Sequence, residues 1–63
     1  MEFYDTANAE AAEEWIGAQR QPVIRIELLD TDTDHTREVV LSVDAAAELS
    51  DAIALVLDED VAA

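Results

Sequence analysis

The stretch "VIRIELLDTDTDHTREVVL", residues 23–41, decides the fold. Two runs rich in β-branched and leucine side chains, Val23 to Leu29 and Arg37 to Leu41, flank a turn-forming cluster of Asp, Thr and His, the pattern of a β-hairpin. Pairing Ile26 with Val39 and Ile24 with Leu41, across a loop of Thr31 to Asp34, gathers Ile24, Ile26, Leu28, Val39 and Leu41 on one face. That register sets Glu27 opposite Glu38, a like-charge pair that costs up to ~1 kcal/mol. Arg25, diagonal to Glu38 and on the same face as Glu27, is placed to bridge both. The outer face carries Val23, Leu29 and Val40 among charged residues, enough for a modest contact surface.

Downstream, Ser42 is a good N-cap and Asp44 falls in the first turn, where the helix dipole favours an anion. A helix is predicted from Val43 to about Leu57. At 100° per residue Ala45, Ala46, Leu49, Ala52, Ile53, Val56 and Leu57 share one arc, and Asp44, Glu48, Asp51 and Asp58 another. Leu55 projects among the acids, as an apolar contact offered to another segment or another chain.

Upstream, Thr6 to Ile16 has the composition of a helix, alanine and glutamate with Ala12, Trp15 and Ile16 at helical spacing. Asp5, Thr6 or Asn8 would cap it and Gly17 would end it. Pro22 then keeps the chain extended. Trp15 is expected in the helix-on-helix core, with Phe3 and Tyr4 against it. The fold class expected is therefore α+β, in the order α-β-β-α: an antiparallel hairpin covered on one face by two helices. It forms one domain, 1–63, with loose ends at about 1–4 and 59–63. Edge pairing of two copies would give a four-stranded sheet.

A chain of 63 residues buries only ~60% of the surface its unfolded form exposes. It has no cysteine, so neither a disulfide nor a thiolate zinc site can staple it, and association is the expected reinforcement. Sixteen Asp and Glu stand against three basic residues, Arg20, Arg25 and Arg37, for a formal net charge of −13. At molar salt the Debye length shrinks to ~3 Å, so such a surface repels itself little while holding water. The carboxylates are spread from Glu2 to Asp60, as a solvated surface requires and an acidic tail does not.

This lysine-free, aspartate- and alanine-rich composition, with "VVLSVDAAAELSDAI" at Val39–Ile53, resembles the small uncharacterised acidic proteins of halophilic archaea. The resemblance is compositional over the whole chain, and it implies no catalytic residue.

Candidate sites are few. Asp30, Asp32 and Asp34 occupy the one, three and five positions of a calcium loop, yet His35 stands where that loop needs Gly and Leu41 where it needs Glu. The plainer reading is a turn whose short polar side chains hydrogen-bond their own backbone. His35 has no second anchoring group beside it, no nucleophile stands out, and Gly17 is alone, so no phosphate loop or cofactor motif is present. Three separated arginines supply no stripe for nucleic acid. No run of about 18 apolar residues spans a membrane, the N-terminal segment does not read as a secretory signal, and anionic lipid repels so negative a chain. The chain therefore reads as a cytoplasmic, non-catalytic protein–protein interaction module adapted to high salt. It is expected to be a homodimer or to bind another protein, with no cofactor, metal, membrane or small-molecule substrate. Its candidate interface residues are Leu55, Val40, Val23 and Leu29. Two alternatives are an acidic nucleic-acid mimic that inhibits a basic protein, and a weak divalent-cation module built on Asp30, Asp32 and Asp34.

Overall fold

The computed structural model describes residues 1–62. Three strands and one helix follow in order: β1 (Thr6–Ile16), β2 (Gln19–Asp30), β3 (His35–Ser42) and α1 (Val43–Ala62). The strands form one antiparallel meander with β2 in the centre.

The hairpin adopts the register that the sequence predicts. Ile26 faces Val39, Ile24 faces Leu41 and Glu27 faces Glu38, with Asp30 and His35 closing the ladder. The turn is held by short polar side chains. Asp32 N–H donates to the Asp30 carboxylate at 3.0 Å, and Asp34 takes a left-handed φ of 58°, which Asp tolerates better than most side chains because it can hydrogen-bond locally. Ser42 caps the helix as expected: its Oγ accepts from the Ala45 N–H at 3.0 Å, satisfying one donor of the first turn. The helix then runs on to Ala62, through the segment expected to be loose.

The α-β-β-α expectation is overturned by Thr6–Ile16, which is a strand. The architecture is β-β-β-α with a single helix. β1 pairs with β2 from Thr6 opposite Leu29 to Ile16 opposite Gln19, all of β2 but Asp30. An isolated helix of this length is marginal in water whatever its composition. The free edge of β2 offers instead a row of unpaired backbone groups, and the segment takes it. Small side chains suit the result, because Ala7, Ala9 and Ala11 alternate onto the face of Leu28, Ile26 and Ile24. Gly17, with a φ of 66°, does not cap a helix. It takes the first central position of the two-residue turn Gly17–Ala18, where a positive φ is required.

The same pairing overturns the expected four-stranded sheet between two hairpins, since each chain already contributes three strands, with β1 and β3 at the edges. It also removes the helix-on-helix core. Trp15 lies near the tip of the β1–β2 ribbon and is 70% exposed. Phe3 is exposed too, and Tyr4 stacks on His35, with ring centroids 6.0 Å apart. The ribbon from Glu13 to Pro22 extends beyond β3, whose pairing stops at Ser42 opposite Val23. Pro22 is tolerated there because β2 has become an edge.

Candidate interaction surface

The helix touches the sheet only along part of its length. Ala45 and Ala46 are half-buried, but every described side chain from Ala47 onward is exposed. Between helix and sheet lies an apolar groove of about 400 Å³, lined by Ala7, Ala9, Ile26, Leu28, Val39, Leu41, Leu49 and Ile53, with Asn8 at its rim. No charged side chain enters this lining. Further along α1, Ala52, Ile53, Val56 and Leu57 frame a second hollow with no contribution from the sheet. The C-terminal part of the stripe therefore runs past the sheet without cover, with Val56 55% and Leu57 57% exposed.

Two global quantities agree. The accessible surface is 5210 Å², about 1,200 Å² more than the ~4,000 Å² of a folded monomer of this mass. The radius of gyration is 14.2 Å, against about 11 Å for a compact domain of this length. Val23, 2% exposed, is the one fully buried hydrophobic residue among those described.

The outer face of the sheet is electrostatic. Arg25 donates to Glu10 at 2.9 Å and to Glu14 at 3.0 Å, both on β1, and its Nε lies 3.3 Å from Glu38 on β3. One guanidinium thus ties all three strands. The hydrogen bonds to Glu10 and Glu14, with the charge of Glu38, hold it protonated even more firmly than usual. Glu38 is bridged as the register anticipates, whereas the remaining Arg25 contacts go to β1 rather than to Glu27. Arg20 pairs with Glu13 at 3.1 Å and Arg37 pairs with Glu2. All three basic side chains are therefore spent on neighbouring carboxylates. A hollow of about 430 Å³ near Arg37 is lined by Thr6, Asn8, Glu27, Leu28, Leu29, Thr36, Arg37 and Glu38.

The residues singled out from the sequence are scattered. Leu55 is 62% exposed on the acidic side of α1. Val40 is exposed on the outer sheet face opposite Arg25, Leu29 is half-buried beside the hollow near Arg37, and Val23 is buried. Asp30 is engaged by its own turn. Among the described residues no three of His, Cys, Asp and Glu gather closely enough to hold a metal ion.

Asp5, expected to cap a helix that is in fact a strand, organises the turn instead. Asp5 accepts from the Thr31 N–H at 3.1 Å, from the Thr31 hydroxyl, and from the Thr6 hydroxyl at 3.3 Å. These bonds, that from the Thr31 hydroxyl foremost, hold its carboxyl below the ordinary carboxylate range. A depressed pKa stabilises above the unfolded value, and the contribution disappears as pH falls through the folded value. Amide exchange at Thr31, followed by NMR, should therefore stay slow from neutral pH down past the usual carboxylate range near ~4 and accelerate only below it. Asp5→Asn should abolish that acid step; a Thr31 amide unprotected at every pH would show that the clamp is not formed.

The groove, and the exposure of the stripe, escaped the sequence reading for one reason. The arc from Ala45 to Leu57 was legible, but it was assigned to a core completed by a second helix that does not exist. No family model, curated protein or solved structure matches this chain. Among the described residues no helix is long and apolar enough to cross a membrane.

Proposed function

We propose that this chain is a non-catalytic protein–protein interaction module adapted to high salt, acting in the cytoplasm and docking through the stripe of α1. One observation carries the reading: a 20-residue helix presents Leu49, Ile53, Val56 and Leu57, each 41–57% exposed, beside an apolar groove without charge. Contiguous apolar surface of this kind is what a docking partner covers. The salt adaptation is supported by where the acids lie. They are dispersed over β1, the β2–β3 turn and the far side of α1, and three of them surround Arg25. A mimic of nucleic acid needs one unengaged ridge. The cytoplasmic assignment rests on the strong negative charge, which anionic lipid surfaces repel.

The test is capture with tagged protein, from a lysate and from a solution of untagged chain, in ~2–3 M KCl where surface electrostatics are suppressed. Wild type should retain a partner that Val56→Glu/Leu57→Glu loses at least tenfold. Equal retention by both, or none by either, refutes a docking role for the stripe. Retention only at low salt, falling steeply as salt rises, would favour a charge-driven mimic.

A further inference from the structure

The C-terminal half of α1 carries a charge pattern that its own chain leaves unanswered. On the helical projection, the apolar arc of Ala45, Ala46, Leu49, Ala52, Ile53, Val56 and Leu57 is bordered past Ala52 by Glu59 and Glu48, and Asp60 falls within the arc one turn beyond Val56. The other border holds Ser50 and Ala54, without charge. No basic residue occurs in α1, and its last turn, where the helix dipole favours a cation, holds Glu59 and Asp60 instead. The arginines of the chain are all engaged elsewhere: Arg20 with Glu13, Arg25 with Glu10, Glu14 and Glu38, and Arg37 with Glu2. Among the described residues, therefore, no acid of α1 has a cationic partner, and the end of the helix that most needs one lacks it.

We infer that the stripe takes an amphipathic helix of another protein, one whose apolar face is bordered by Lys or Arg. This rests on the interaction-module reading above and names the chemistry of its partner. The occupant is helical because α1 spends its backbone groups internally and offers none across the contact. An extended segment laid on this apolar surface would leave its own N–H and C=O groups unpaired, whereas a helix satisfies them itself. From Leu49 to Leu57 the stripe is ~12 Å long at a rise of about 1.5 Å per residue, the reach of apolar anchors at i, i+3 or i+4, and i+7 on a docked helix. The occupant is basic because Glu48 and Glu59 border the contact and Asp60 enters it, and covering carboxylates without a counter-charge strips them of water. A second copy cannot supply that charge: its arginines are engaged in the same way, and its α1 would set further acids against Glu48 and Glu59. Complementary charge selects the partner and the apolar stripe holds it, so the contact outlasts the salt that weakens charge alone.

The experiment is calorimetric titration of the purified full chain with synthetic helical peptides of ~20 residues that share one Leu/Ile/Ala stripe and differ only in its border: Lys/Arg, Ser/Gln or Glu. KCl is lowered stepwise from ~2–3 M, and circular dichroism confirms the fold of each variant at each step. At the lowest salt in which the chain stays folded, the basic peptide should bind about tenfold more tightly than the neutral one, and the acidic one should not bind. Val56→Ser/Leu57→Ser should weaken the basic peptide by about tenfold or more, because the apolar contact is lost. Glu48→Gln/Glu59→Gln should bring the basic and neutral peptides within about threefold of each other. Asp32→Asn/Asp51→Asn, which removes as much charge away from the stripe, should leave the preference intact. Basic and neutral peptides bound equally overturn the basic assignment, while the interaction-module reading survives if Val56→Ser/Leu57→Ser loses both. Binding of no peptide overturns the assignment too, as does a preference that Asp32→Asn/Asp51→Asn reduces as much as Glu48→Gln/Glu59→Gln; the capture experiment then judges the module reading by itself. Sedimentation equilibrium of the chain alone completes the test: self-association that Val56→Ser/Leu57→Ser abolishes gives the stripe to a second copy and overturns the assignment.

Discussion

Val23→Asp is expected to abolish folding, with no cooperative transition by circular dichroism even in ~2–3 M KCl. Val23 is the one fully buried hydrophobic residue among those described, flanked in the ladder by Ala12 on β1 and Ser42 on β3. It sits in the last row where all three strands are paired. A carboxylate there faces only Ala12 and Ser42 in the ladder, and the nearest cation, Arg25 two residues along the same face, is already held by Glu10, Glu14 and Glu38; a buried charge left without a partner costs on the order of 3–5 kcal/mol. The whole stability of a 63-residue domain is roughly 3–9 kcal/mol at typical values per residue, so the substitution consumes most or all of it. Val23→Ala should cost only ~1–2 kcal/mol, the transfer and cavity terms for the two methyl groups removed, and should remain folded. An aspartate variant that unfolds cooperatively within ~1 kcal/mol of wild type, no more than an ordinary substitution costs, would show that position 23 is open to water.

Arg25→Gln should produce the second large effect, and its size should depend on salt. Removing the guanidinium leaves Glu10, Glu14 and Glu38 converging on one spot without a counter-charge, on a chain that is already strongly negative. Both strands flanking β2 lose their tie at once. In dilute buffer, where the Debye length reaches ~30 Å, the melting temperature should fall by roughly 5–10 °C or the variant should not fold at all. In molar salt most of that loss should vanish. Adding Glu10→Gln, Glu14→Gln and Glu38→Gln to Arg25→Gln should restore stability at low salt, because repulsion among the three acids is then gone. If the quadruple variant stays as unstable as Arg25→Gln alone, the alkyl stem of Arg25 is what matters, through packing and not through charge.

Both predictions concern the centre of the sheet, and its two sides were unequally readable. The β2–β3 hairpin could be written down to the residue, because keeping Ile24, Ile26, Val39 and Leu41 on one face fixes the parity of the pairing and the four-residue turn Thr31–Asp34 selects among the registers that remain. The Ser42 cap and the arc of α1 were equally legible. The β1 segment was misread because alanine and glutamate favour a helix locally. Its alternation over Ala7, Ala9 and Ala11, and a glycine two residues before Gln19, were the signals that pointed to a strand. The candidate surface was half-visible: the aliphatic stripe was found, but its exposure could not be, since exposure depends on whether anything else in the chain covers it.

The sequence by itself therefore determined the turn, the cap, the hairpin register and the acidic, lysine-free surface, all of which are fixed by near neighbours or by composition. Only the tertiary structure decided that Thr6–Ile16 is a strand and that the apolar arc of α1 runs on past the sheet without cover. The free edge of β2 supplies backbone hydrogen bonds that local helix propensity cannot outweigh. With that segment drawn into the sheet, no second helix is left to close the core.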